Sequence, residues 1–302
     1  MTLAPPPALT RDPFAIGWRP VTTKQPDGTL HTVEVPLTEE DFLYPQEEDR
    51  FMLTQHHIRA TMYLTLAIES ANRNRPAIKV FAEHRIDWQK EDLRPNGPDI
   101  SVFDNYPHPI DMFRGTLPVA DEGVQPLLVI EVTSPSTRHI DVGRKLQVYH
   151  DAGVPNYLIL DMREDDSDIP DPVFIGHQDT PDEYEVLEHG ELGVWIDSVG
   201  MWFAVEHGAI VTYDANRNRI LEYAELETLA ELEKNRADTA EQRAEAEKDR
   251  ADAAEQREWT AIRKAQAATQ QAQAATQQAQ AEKQRADELA SELAALKSRL
   301  SG

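Results

Sequence analysis

Apolar positions along the chain fall into three regimes. The middle of the sequence carries short runs of strand type. Ile78, Val80, Ala82 and Ile86 lead to Trp88, and residues 99–103 form a short, half-apolar stretch. Leu127, Leu128, Val129, Ile130, Glu131 and Val132 are nearly continuous in apolar character, as in a strand covered on both faces. Residues 156–161 read the same way, and short runs between 173 and 213 predict β-hairpins. Helical spacing appears at three places. Thr38 followed by Asp41 is a capping-box signal. Phe51, Ile58, Met62, Leu66 and Ala67 predict a helix over 49–72, with Pro76 just beyond it. Residues 141–152 predict another, closed by Gly153. The result is an α/β domain with a mixed sheet flanked by helices.

The two ends differ from this middle. Pro5, Pro6, Pro7, Pro13, Pro20, Pro26 and Pro36 predict an extended arm over 1–37, with a turn at Gln25-Pro26-Asp27-Gly28. Residues 236–298 divide into nine blocks of seven without Gly or Pro. The second and fifth positions are mostly Ala, giving way to Leu289, Leu293, Leu296 and Leu300. Those Leu spacings of four, three and four make a zipper seam. A helix of this length spans ~95 Å. Ala buries little area at about 25 cal/mol per Å², so pairing is weak in the middle and anchored at the Leu end. The alternative is a single solvated helix. The expected division is arm 1–37, domain 38–215 and coiled coil 216–302, with the coil joining copies of the chain.

Composition narrows the chemistry. With no cysteine, disulfides, thiolate nucleophiles and Cys-based zinc sites are absent. No apolar stretch approaches the ~18–20 residues of a membrane span, and the opening lacks a leader's apolar run, so a cytoplasmic protein is expected. The net charge of −24 includes −19 on residues 1–219. That opposes a phosphate backbone unless charges are segregated or metal ions intervene.

Candidate chemistry lies between Asp99 and Tyr149. Asp99 opens one strand and Glu131 ends another. Buried carboxylates need a partner or a metal. A converging pair offers oxygen ligands to Mg²⁺ or Mn²⁺; otherwise Asp99 caps a turn and Glu131 pairs with an Arg. Asp141, Lys145 and Tyr149 follow at i, i+4, i+8 on one helix face. Lys145 could orient water or steady charge on phosphorus, or form an ordinary surface pair with Asp141. His56-His57 has no third ligand at motif spacing and reads as a packed or solvated pair. The run 164–168 lacks the Gly and closing Glu of a calcium loop.

These residues carry a resemblance. Pro98-Asp99, then Glu131-Val132-Thr133-Ser134-Pro135-Ser136-Thr137, then Asp141, Lys145, Tyr149, Gly153-Val154 and Asp161 resemble the Uma-type restriction endonucleases, a bacterial branch of the PD-(D/E)XK nucleases. The resemblance implies a restriction-endonuclease-like fold, a divalent metal (Mg²⁺ or Mn²⁺) on Asp99 and Glu131, and hydrolysis of nucleic-acid phosphodiesters, DNA in the first instance. It implies Lys145 as the catalytic lysine and Asp141 and Tyr149 in support. Thr133 stands where the superfamily places its lysine. A further acid is expected on the helix before the sheet, with Glu69 first and Glu83 second. The rival expectation is a catalytically inactive binding module of the same fold, assembled through its coil.

Overall fold

The computed structural model describes residues 12–111, 113–163 and 171–300. Pro5–Pro7 of the expected arm and the acidic run 164–168 lie outside them. The elements in order are β1 (Gly17–Lys24), β2 (Leu30–Pro36), α1 (Glu39–Leu43), β3 (Arg50–Phe51), α2 (Gln55–Ala71), β4 (Lys79–Ala82), β5 (Arg85–Asp87), β6 (Ile100–Phe103), β7 (Thr116–Pro118), α3 (Val119–Glu122), β8 (Pro126–Val132), α4 (Lys145–Ala152), β9 (Asn156–Arg163), β10 (Asp171–Asp179), β11 (Tyr184–Val186), β12 (Val194–Ile196), β13 (Met201–Glu206), β14 (Ala209–Asp214) and α5 (Tyr223–Leu300). Two compact units result, Met1–Tyr223 and Ala224–Gly302.

A six-stranded sheet in the order β11-β10-β9-β8-β6-β4 organises the first unit. It is mixed: β8 and β9 run parallel, and the other neighbours are antiparallel. Strand parity assigns its faces. Leu128, Ile130, Val132, Leu158 and Leu160 pack with Leu64 and Ile68 of α2 and with β12 and β13. Val129, Tyr157 and Ile159 face the other way, against Tyr149 and Ala152 of α4. Glu131 has the parity of Val129, so it points toward α4. Ile100 opposes Ile130 across β6 and β8, which brings Asp99 beside Glu131 at the sheet's end.

The expected mixed sheet, flanking helices and long C-terminal helix are all present. Four local expectations are corrected. First, the arm is not free of regular structure, because β1 and β2 pair across the predicted turn. The chain reverses at Gly28 (φ 86°), where the Gln25 amide donates to Thr29 O at 2.8 Å. Pro20 is tolerated because β3 pairs only with Gly17 and Trp18, leaving the rest of that edge open.

Second, α2 starts at Gln55 rather than 49, capped by Thr54, whose side chain accepts from the His57 amide. Third, its buried face is His57, Ala60, Thr61, Leu64, Ala67 and Ile68, while Met62 and Leu66 are exposed. That face is turned by one residue, ~100°, from the expected one. Fourth, the helix predicted over 141–152 opens as a π-helical turn, Ile140–Arg144, before α4. Other details match expectation. Thr38 and Asp41 form the capping box, and Gly153 (φ 79°) ends α4 in the left-handed conformation.

The second unit is α5, 78 residues long. From Leu226 to Lys297 every side chain is exposed, Leu289, Leu293 and Leu296 included. Its stability in water rests on its helix-forming residues, since among the described residues it buries no face.

Candidate active site

Two groups of polar side chains meet at the end of β6 and β8. The first is buried. Tyr149 Oη donates to Glu131 Oε1 at 2.5 Å, and Lys145 Nζ lies 2.8 Å from Glu131 Oε2. The same ammonium is 2.9 Å from Asp141 Oδ1. Side chains of Lys145, Glu131 and Asp141 are each no more than 2% exposed, which excludes the surface-pair reading of Asp141 and Lys145. Tyr157 adds a bond from its hydroxyl to Asp141 O at 2.8 Å.

Burial sets the electrostatics of this group. It works against the charged form of Lys145, but Asp141 and Glu131 outweigh it and hold the ammonium above its ordinary pKa. Burial also lifts Asp141 from 3.8 to about 6, against the pull of Lys145. Tyr149 is pushed well up by burial and by Glu131, so it stays a neutral donor.

The second group faces a cleft of about 470 Å³ lined in part by His57, Glu83, Asp99, Val132 and Ser134. Asp99 Oδ2 accepts from the Val132 amide at 2.6 Å. Asp99 Oδ1 is 3.6 Å from His57 Nε2, which is 3.2 Å from Glu83 Oε1. His57 Nδ1 is 3.1 Å from Val132 O. Burial, Glu131 and Glu83 raise the Asp99 carboxyl well above the usual range, while His57 and Lys145 draw it down. Burial disfavours charge on His57, but Glu83 and Asp99 overcome it and its pKa rises to about 9. One ligand atom each from His57, Glu83 and Asp99 fits within 4.8 Å of the others.

Of the residues singled out in the sequence, Asp99, Glu131, Lys145, Asp141 and Tyr149 come together. Glu69 does not: it is exposed and sits twelve residues, ~18 Å of helix, beyond His57. The expectation for Glu69 is therefore corrected in favour of Glu83, the second choice. His57 is also corrected, from a packed or solvated residue to one that faces two carboxylates. Its signal in the sequence was position: three residues after the capping Thr54, it lies in the first turn of the helix that ends at the site. Thr133 instead ties β8 to β9, accepting from the Met162 amide at 2.8 Å and donating to Asp161 Oδ1 at 3.3 Å. Arg138 closes on the same Asp161 through two bonds of 2.6 and 2.7 Å. Lys145, from α4, is the lysine that lies against Glu131.

Known proteins can be set against this geometry. No curated protein matches the chain. Among solved structures, it is similar to a nuclease of DUF820 from Anabaena variabilis ATCC 29413, titled "putative", at 20% identity and a TM-score of 0.39, over 55% of this chain and 86% of that one. Residues 51–232 match the Uma2 family model, described as "Putative restriction endonuclease". The match takes in α2, the whole six-stranded sheet and both polar groups, and the chain belongs to the Uma2 family.

Proposed function

We propose that the chain is a metal-dependent endonuclease that hydrolyses phosphodiester bonds of DNA. The observation that carries this reading is the meeting of Asp99 and Glu131 at one sheet end, with Lys145 against Glu131 at 2.8 Å. A divalent ion fits the donor set, because the hard carboxylate oxygens of Asp99 and Glu83 line an open cleft and Glu131 is buried beside Asp99. Asp99 and Glu131 would hold the ion. Each Glu131 oxygen already takes one bond and retains a lone pair. When bound, Mg²⁺ or Mn²⁺ polarises the phosphodiester and lowers the pKa of a water.

The chain's own residues supply the rest. Lys145 holds a permanent positive charge beside the acidic pair and steadies negative charge developing on phosphorus. Tyr149 and Asp141 fix that ammonium and the Glu131 carboxylate in place. The charge of −19 on residues 1–219 makes the metal the means by which a phosphate backbone is tolerated. In this reading α5 joins two or more copies through its Ala and Leu seam, placing two nuclease units on one duplex. The protein works in the cytoplasm of a bacterial cell.

Purified full-length chain is incubated with supercoiled plasmid and Mg²⁺ or Mn²⁺. Nicking or linearisation is expected, abolished by chelator and by Glu131→Ala. Absence of cleavage on duplex and single-stranded DNA overturns the reading. The second reading, an inactive binding module, draws on one observation: Lys145 is buried between two carboxylates and the Phe42 ring and does not line the cleft. It predicts DNA retention without cleavage.

A further inference from the structure

We infer that His57 is itself a metal ligand, acting with Asp99 and Glu83, and that this nitrogen makes the centre prefer Mn²⁺ over Mg²⁺. The inference rests on the metal-dependent reading above and adds a ligand set and an ion preference to it.

His57 is prepared for that role by its backbone contact. A carbonyl oxygen only accepts, so Nδ1 carries a hydrogen; Nε2, beside the Glu83 carboxylate, carries the second, and that is the proton a divalent ion would displace to solvent. Nε2 then turns toward the carboxylates, 3.2 Å from Glu83 and 3.6 Å from Asp99. Anchoring one ring nitrogen to a carbonyl is what orients metal-binding histidines and fixes their tautomer. At 5% exposure the ring has no room to swing away.

The same peptide unit orients the carboxylate. Val132 offers its amide to Asp99 Oδ2, leaving Oδ1 toward His57. The third ligand is held at a backbone cost. Glu83 has φ 51°, in the left-handed region that a side chain of this size rarely adopts, and its amide donates to Asp99 O at 2.8 Å. Strain of this kind persists where surrounding contacts impose it, and here it aims a carboxylate at the imidazole. Glu131 stands behind these three, with Tyr149 and Lys145 on its oxygens.

The donor types set the preference. Mg²⁺ is served by one or two carboxylates and retained water, and it gains little from imidazole. An imidazole nitrogen added to carboxylate oxygens moves affinity along the series toward ions that accept both donors, Mn²⁺ among them.

The test is calorimetric titration of the full chain with Mn²⁺ and with Mg²⁺, joined to pulsed electron paramagnetic resonance of the Mn²⁺ complex. Mn²⁺ is expected to bind at least ~10-fold more tightly than Mg²⁺. The resonance should show nitrogen coupling from imidazole. His57→Asp should remove that coupling and narrow the preference. Glu83→Gln, a change at a half-exposed side chain, should weaken Mn²⁺ by ~10-fold or more while keeping the coupling. Nitrogen coupling is read on unaltered protein, so the test stands if His57→Asp fails to fold. Mn²⁺ binding that needs Asp99 but shows no nitrogen coupling overturns this inference and leaves the metal-dependent nuclease intact. No binding of either ion overturns both.

Discussion

The two halves of the site are built on opposite terms. Glu131, Lys145, Asp141 and Tyr149 are buried together, held by two ion pairs to Lys145 and one hydrogen bond from Tyr149, with Asp141 Oδ1 lacking a hydrogen-bond partner among the described residues. His57, Glu83 and Asp99 line a cleft, and Glu83 is about half exposed. Buried charges must be paired, so the first half is coupled to folding. The open half can exchange partners with solvent, metal or substrate at little structural cost. The contrast separates the residues that fix buried charge from those that line the cleft, with Glu131 beside Asp99 where the two halves meet.

Substitutions should separate the halves. The largest effect is expected at Lys145. Lys145→Met leaves two buried carboxylates without their cation, and breaking such a pair costs about 3–5 kcal/mol. Thermal unfolding should drop by on the order of 10 °C and cleavage should vanish, so an unchanged Tm would break the comparison.

Asp99→Asn should act in the opposite sense on stability. Burial and Glu131 make the charged Asp99 carboxylate unfavourable in the folded state. The amide removes that penalty while removing a metal ligand. Cleavage is expected to fall ~10²–10³-fold with Tm unchanged or raised. A loss of both together would place Asp99 in the structural half.

A pH titration sharpens the buried half. Asp141 ionises at 3.8 when unfolded and at about 6 when folded. Between those values the folded chain binds more protons than the unfolded one, so stability falls as pH rises from about 4 to about 6. Asp141→Asn should flatten that slope in chemical denaturation series. An equal slope in the variant would show that Asp141 does not carry it.

The smallest expected change is at Glu83. Glycine is at ease at φ 51°, so Glu83→Gly should raise stability by about 1 kcal/mol while lowering Mn²⁺ affinity. A fall in stability would mean that the carboxylate contributes structurally.

Legibility in the sequence follows the same division. The buried half was readable because its pattern is local: an apolar strand interrupted by Glu131, then Asp141, Lys145 and Tyr149 at helical spacing. Packing reproduced that spacing even though the first turn is π-helical. The open half depends on how α2 is turned about its axis. Met62 and Leu66 are apolar but exposed, while His57 and Thr61 are polar but buried, so polarity alone pointed to the wrong face. The same ambiguity favoured Glu69, whose place at the far end of α2 only the structure shows. The β1–β2 pairing was hidden by Pro20, which looks disruptive until the open edge is seen.

Mn²⁺-soaked crystals of the full chain, read by anomalous scattering, show whether Asp99 and His57 share a metal ion. One strong peak is expected in the cleft, bonded to Asp99 and to His57 Nε2. A map with no peak at Asp99, or a peak bound elsewhere with Asp99 and His57 unmoved, would contradict it.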